Sequence, residues 1–453
     1  MNLVLILILL LPACAWALTE RQVVNSVLLH FPLIQEAEFK AKSSEGELTA
    51  SEGAFDHKLI FKSRNRVEDK YDNQYFETSI ERQTAFGGTS LVAGHRQGRG
   101  AFPSYDGKYK TSGAGEIFAG LSLPILRNFS TDEFRTNLRI RQIENKQAVL
   151  QLKLKKLITV HKALTLYYKW VLESQKLKIN KEIYELAILR HSMVEKRFQA
   201  GDLEQIKVVD NLRAIDKRNS EVLKNEIELN KIRAEFSLYV RDSVGVPQVL
   251  SEETSSELIL KNPDNSLLDP SSITANPQLE ILKLENEKLS SELSFLDQSK
   301  LPGLNLELLG ARELSPNAAY DPQSLQFGLK FDFPLENRKA EGKSVSYFYK
   351  VRAMEKQKIY LEQELFQQFN FYREASSRSR QRWEMASREF ENTKKMAEAE
   401  KSKWAQGASD LFIVNLREQD VADVEIRRWS ALYDYHQYMI DAKLFSATLP
   451  TSL

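Results

Sequence analysis

Six histidines, His30, His57, His95, His161, His191 and His436, are the residues of this chain best suited to metal binding or proton transfer. None stands at a paired metal-ligand spacing from another, and His161 falls among heptad-spaced leucines. There is no G-x-S-x-G elbow, no phosphate-binding P-loop and no C-x-x-C pair. The residues therefore predict no enzyme, no cofactor and no metal. Cys14 is the single cysteine, and two readings of it stay open. Leu11-Pro12-Ala13-Cys14 is a passable lipoprotein box, in which Cys14 carries the lipid. Ala15-Trp16-Ala17 is a small-x-small cleavage site behind the apolar run Leu3–Leu11, which makes 1–17 a secretory signal and leaves a cysteine-free mature chain. Helical sequence begins at Leu18, with no spacer to separate an anchor from the fold.

Two short stretches stand out instead. Arg197-Phe198-Gln199-Ala200-Gly201-Asp202 and Lys403-Trp404-Ala405-Gln406-Gly407-Ala408 each set a glycine three residues after an aromatic with a basic residue before it. Each interrupts a long, charged, leucine-rich helical pattern, where glycine permits the chain to stop and reverse.

The elements around these glycines repeat. Leu18 to Ala54 reads as helix with a break at Phe31-Pro32. Alternating stretches follow at Lys58–Val67, Tyr75–Ala85, Thr89–His95 and Ile117–Leu126, with a turn at Gly87-Gly88 and a Gly- and Ser-rich loop over Gly98–Gly115. From Asp132 to Ala200 the pattern is helical: Ile143, Leu150, Leu157, Leu164 and Val171 recur every seven residues, with Leu154, His161 and Tyr168 alongside. A second helix runs to Val244, and 245–272 is a polar linker with three prolines. Asn276-Pro277-Gln278-Leu279 then reopens the series at an offset of 277 − 32 = 245, with strands over Gly303–Ala311 and Gln326–Leu335 and helices to Gln406 and from Asp410 to Phe445. From strand-ending proline to glycine the two copies measure 201 − 124 = 77 and 407 − 334 = 73 residues. At about 1.5 Å per residue, each leading helix would reach roughly 100 Å. The first copy carries about thirty-five additional residues between its main strands, read as an added hairpin and loop.

The expected organisation is thus α+β and internally duplicated: 1–17 signal, 18–244 first repeat (strands about 56–126, helical hairpin 131–244), 245–272 linker, 273–453 second repeat (strands about 303–334, helical hairpin 338–446). The charges nearly cancel, 63 basic against 62 acidic, so nucleic acid is not expected as a partner. Two strands from each repeat cannot close a barrel alone, and an open edge is not tolerated in lipid. Three protomers would supply twelve strands, or more if the extra hairpin joins. The wet strand face would carry Lys62, Arg64, Arg66, Glu81 and Arg82. Tyr71, Tyr75, Tyr105 and Tyr109 are candidates for an interfacial aromatic belt, and Trp170, Trp383, Trp404 and Trp429 for helix packing.

On Leu18-Thr19, Phe31-Pro32-Leu33-Ile34, Asn276-Pro277-Gln278-Leu279, Leu121-Ser122-Leu123-Pro124-Ile125-Leu126, Phe331-Asp332-Phe333-Pro334-Leu335 and both glycine motifs, taken in this order, the chain resembles the TolC-like outer-membrane efflux and secretion channels of Gram-negative bacteria. The resemblance implies a homotrimer with a β-barrel in outer-membrane lipid and an α-barrel in the periplasm. It implies a passive exit duct for efflux or type I secretion, opened by a periplasmic adaptor and an inner-membrane pump of RND, ABC or MFS type. Ala200, Gly201, Asp202, Gln406, Gly407 and Ala408 match the adaptor-docking positions. Family channels often place acids six residues past the tip glycine, and nine past it in the second copy. Here the gate candidates are Lys207, Asp210, Ile413 and Leu416, with Asp202 and Asp410 nearby, so an acidic ring is not expected. The competing reading is a periplasmic coiled-coil adaptor or scaffold that never enters the outer membrane.

Overall fold

The computed structural model describes residues 18–67, 70–103, 110–250, 263, 269–314 and 323–452. Two compact units divide the chain. One comprises residues up to 37, 152–277 and 361–453, and the other 38–151 and 278–360.

The second unit holds one antiparallel sheet in sequence order: β1 (Lys58–Arg66), β2 (Asn73–Gln83), β3 (Ser90–Gly100), β4 (Glu116–Pro124), β5 (Gly303–Glu313) and β6 (Gln323–Asp332). The two halves of the sequence join at β4–β5, where Phe118 pairs with Ala311 and Leu121 with Leu308. The additional hairpin is β2–β3, turned by Gly87 and Gly88 at φ +56° and +69°. It lies within the sheet, between β1 and β4, so the chain supplies six strands where two from each half were expected. β3 runs on to Gly100, beyond the expected end at His95, because Gly94, Gly98 and Gly100 pair in register with Ser79, Tyr75 and Asn73.

Alternation then sorts the side chains. Leu59 pairs with Ile80, Ile80 with Ala93, Ala93 with Ala119, and Leu308 with Phe327, and all lie on one face. That face is open: Leu59 is 74% exposed, Phe61 67% and Phe327 72%. The opposite face is polar: Ser79, Glu116 and Asn73 are buried at its centre, while Lys62, Arg64 and Lys330 towards its edges are exposed. Across it Lys62 Nζ meets Glu77 at 2.9 Å, Arg96 binds Glu116, and the Arg96 guanidinium lies 5.1 Å from the Phe118 ring. Tyr75 belongs here, its hydroxyl donating to Glu77, so it is no part of an outward aromatic belt; Tyr105 and Tyr109 fall outside the described residues. Arg82 departs from the expected wet face. It sits on the apolar one at the sheet end where the chain leaves α-helix, its Nε donating to the Phe55 carbonyl at 3.2 Å.

The helices are α1 (Glu20–His30), α2 (Pro32–Glu52), α3 (Glu133–Gln199), α4 (Gln205–Ser237), α5 (Pro277–Ser299), α6 (Arg338–Ala405) and α7 (Leu411–Phe445). Thr19 starts α1 through a capping box with Gln22, and Pro32 separates α1 from α2. α4 stops at Ser237, short of the expected Val244. Its C-terminal segment instead turns, with Arg241 bridging Pro247 and Gln248 N–H donating to the Val240 carbonyl at 2.9 Å. Ser26 Oγ pins this turn to α1, accepting from Arg241 N–H at 2.7 Å.

The core of the helical unit follows the heptad rows. Leu157, Leu164, Val171 and Trp170 of α3 pack with Leu229, Ile232 and Phe236 of α4, Val23 and Val27 of α1, and Ile440 of α7. Trp170 and Phe236 are fully buried, with ring centroids 5.5 Å apart. Trp383 and Trp429 pack at its margin. No described helix is long and apolar enough to cross a membrane. Phe236→Ala should empty the centre of this cluster at about 3–5 kcal/mol, read as a lower denaturant midpoint of the helical circular-dichroism signal.

Candidate functional site

Both glycine motifs close a helix in the same way. Gly201 and Gly407 take φ +81° and +75°, a conformation open to glycine and costly for other residues. Asp202 N–H donates to the Arg197 carbonyl and Ala408 N–H to the Lys403 carbonyl, each at 2.9 Å. Gly201 N–H reaches Phe198 at 2.9 Å and Gly407 N–H reaches Trp404 at 3.0 Å. Each turn is therefore a Schellman cap, with the six-to-one and five-to-two bonds that satisfy the last carbonyls of α3 and α6. The basic residue and the aromatic of each motif supply backbone carbonyls to these bonds. Ala200, Gly201, Asp202, Gln406, Gly407 and Ala408 are all exposed. A Cβ added at either glycine would meet nothing within 4 Å.

The structure brings together two of the sequence-predicted gate residues. Lys207 Nζ, on the first turn of α4, lies 2.8 Å from Asp410 Oδ2, the N-cap of α7. Asp410 also accepts from Phe412 N–H at 2.7 Å, so one carboxylate caps its own helix and clasps the other hairpin. The Lys207 hydrogen bond, then that from Phe412, hold the Asp410 carboxyl below its ordinary value of 3.8. The same hydrogen bond raises Lys207 above 10.5. Asp210 turns instead to Arg213 at 3.0 Å on its own helix, and Asp202 stays exposed in the turn. Ile413 and Leu416 are exposed on α7, as are Ile206 and Val209 on α4.

Sequence reasoning missed a second link. Arg190 of α3 donates to Asn415 and, at 2.5 Å, to Glu418 of α7, and it is buried. Arg218 of α4 is buried beside it and donates to the Ile183 carbonyl at 2.8 Å. Burial lowers the Arg218 guanidinium from its usual value, while Glu418 raises it. A signal was present in the spacing. Glu418 stands four residues from both Val414 and Ala422, and Arg190 seven after Ile183, so both charges occupy rows otherwise buried and apolar. His161 Nε2 meets Asp441 of α7 at 2.6 Å. Among the described residues no cluster of three or more metal-ligating side chains occurs. Cys14 lies outside them.

No protein-family model and no curated sequence matches the chain. Solved structures do. The Campylobacter jejuni outer membrane channel CmeC aligns at TM-score 0.66 over 96% of this chain and 87% of that one, at 12% identity. The Vibrio cholerae outer membrane protein VceC aligns at 0.66 over 96% and 97%, at 9% identity. This chain has the TolC-like fold. The open-state Neisseria gonorrhoeae outer membrane channel MtrE aligns at 0.65 over 95% and 90%, at 9% identity. At such identities the likeness is one of fold.

The Lys207–Asp410 clasp has a defined pH window. Depression of Asp410 means its contribution is lost as pH falls through its folded pKa below 3.8; elevation of Lys207 means loss only above 10.5. The distance between spin labels at Gln205 and Phe412 should be constant between those limits and lengthen in acid. Lys207→Ala should give the longer distance at neutral pH.

Proposed function

We propose that the protein is a passive exit duct of the outer membrane, three copies enclosing one lumen. The observation that carries this reading is the two-sided sheet: one face is apolar and open, and the other gathers the charged and polar side chains. In water this arrangement is unfavourable, since the exposed patch spans all six strands. In lipid it is the expected one, with the polar face turned to a water-filled channel. The fold shared with CmeC, VceC and MtrE over 95–96% of this chain supports it. A duct needs no catalytic set, and the residues predict none. The adaptor or scaffold reading is disfavoured by the same face, because Leu59, Phe61, Phe327 and Leu329 would then stand in water.

In the finer reading, 1–17 directs export and the turns at Ala200–Asp202 and Gln406–Ala408 receive a periplasmic adaptor, while an inner-membrane pump supplies the energy for efflux or type I secretion. The clasp between Lys207 and Asp410 is exposed and weak, as surface ion pairs are. Arg190–Glu418 is buried, and breaking it leaves a desolvated charge. Docking separates the clasp first, with the buried pair holding the hairpins together behind it. Ile413 and Leu416, not an acidic ring, then border the opening.

Heat-modifiable migration of a trimer in outer-membrane fractions is the expected result; a soluble periplasmic species with no membrane trimer overturns the duct. The double variant Gly201→Trp, Gly407→Trp strains each turn by about 1–2 kcal/mol, and a Cβ at either position meets nothing within 4 Å in the chain. It should assemble and lose export. Normal export would remove docking from these turns.

A further inference from the structure

The β2–β3 hairpin is as much a wall element as its neighbours. β2 and β3 are 11 residues each, beside 9 in β1 and β4, 11 in β5 and 10 in β6. A tilted strand crosses a bilayer in about 9–11 residues. The β2–β3 ladder is unbroken from Asn73–Gly100 to Gln83–Ser90, and β2 and β3 are also paired along β1 and β4. Phe76, Ile80 and Leu91 continue the exposed apolar face between Leu59 and Ile117. Towards the sheet end holding Arg66, Gly100 and Gln323, that face turns polar, from Ser63 in β1 and His95 in β3 to Asn65, Gln74, Arg99 and Arg312, where a strand would emerge from hydrocarbon.

The outer edges of the sheet are those of β1 and β6. Both carry the apolar face to the rim, with Leu59 and Phe61 on one and Phe327 and Leu329 on the other, each at least 67% exposed. In lipid their unpaired N–H and C=O groups have no partner but another strand. A second copy of this chain supplies one of matching length and pattern. Six is even, so β6 of one copy runs antiparallel to β1 of the next and the ring closes without a parallel seam for any number of copies. Adding two strands also keeps β1 and β4 antiparallel with their apolar residues on the same face, so the insertion widens the wall without inverting it.

We propose that three copies of this chain, pairing β6 to β1, close a barrel of 3 × 6 = 18 strands in place of twelve. This rests on the trimeric duct proposed above. Barrel diameter grows roughly linearly with strand number, so the lumen is about one and a half times as wide as twelve strands allow. Barrels of about 16–18 strands leave an open aqueous channel. The membrane segment is then no sieve, and passage is restricted at the helical turns.

Cryo-electron microscopy of the full chain in lipid nanodiscs, viewed along the barrel axis, tests this. Eighteen strands in a closed ring is the expected count. A closed ring of twelve with the hairpin outside it overturns the proposal and leaves the duct intact; absence of any membrane ring overturns both. A second arm excises residues 71–102, joining β1 to β4 through the remaining loop. Added polyethylene glycols should be excluded from this variant's barrel at a diameter about one third smaller than in the parent. An unchanged cut-off overturns the proposal.

Discussion

Everything in the strand unit depends on the two-residue alternation of one antiparallel ladder. Because Leu59, Ile80, Ala93, Ala119, Leu308 and Phe327 fall in register, the apolar residues of strands far apart in sequence reach one face together. A slip of one residue in β1 or β2 would put Lys62 or Glu77 among them. The polar face shows why that register is strongly specified: Arg96, Glu116 and Phe118 form one contact group, and Glu77 receives both Lys62 and Tyr75. Opposite charges thereby neutralise one another on a single face of the sheet.

The helical unit meets a different constraint. Its rows of leucine specify a seam, and polar residues within that seam specify which helices share it. Asn180 with Asn225, Arg218 with the Ile183 carbonyl, and Arg190 with Glu418 each occupy positions where an apolar residue would pack with many partners. A buried charge accepts one neighbour, the one that satisfies it. The hairpins are thereby joined in a single arrangement near their turns, while Lys207 and Asp410 at the surface hold them by a contact water can replace. Durable and breakable links stand on the same pair of hairpins.

Much was legible in the chain. The glycines at 201 and 407 announced reversals, since positive φ is a local property of backbone sterics. Pro32 and Pro277 marked helix starts for a similar reason, and the heptad of Ile143, Leu157, Leu164 and Val171 is buried in the structure. Where local signals faltered, the errors have physical causes. β3 was expected to end at His95 because the glycine-rich stretch from Gly98 reads as loop taken alone, yet pairing with β2 sustains the strand to Gly100. α4 was expected to reach Val244, but the hydrogen bonds of Arg241 to Ser26, a residue 215 positions away, favour a turn. Tyr75 was assigned to an aromatic belt on composition, and only the register shows which face it occupies.

By itself the sequence determined the elements that short-range physics governs: helices from their periodicity, reversals from glycine and strands from alternation. Tertiary structure decided which of them meet. Six strands in one sheet, Lys207 against Asp410, and Arg190 against Glu418 all join residues distant along the chain. Their pairing energies are small beside the number of alternative partners a sequence offers, and packing in three dimensions selects among those partners.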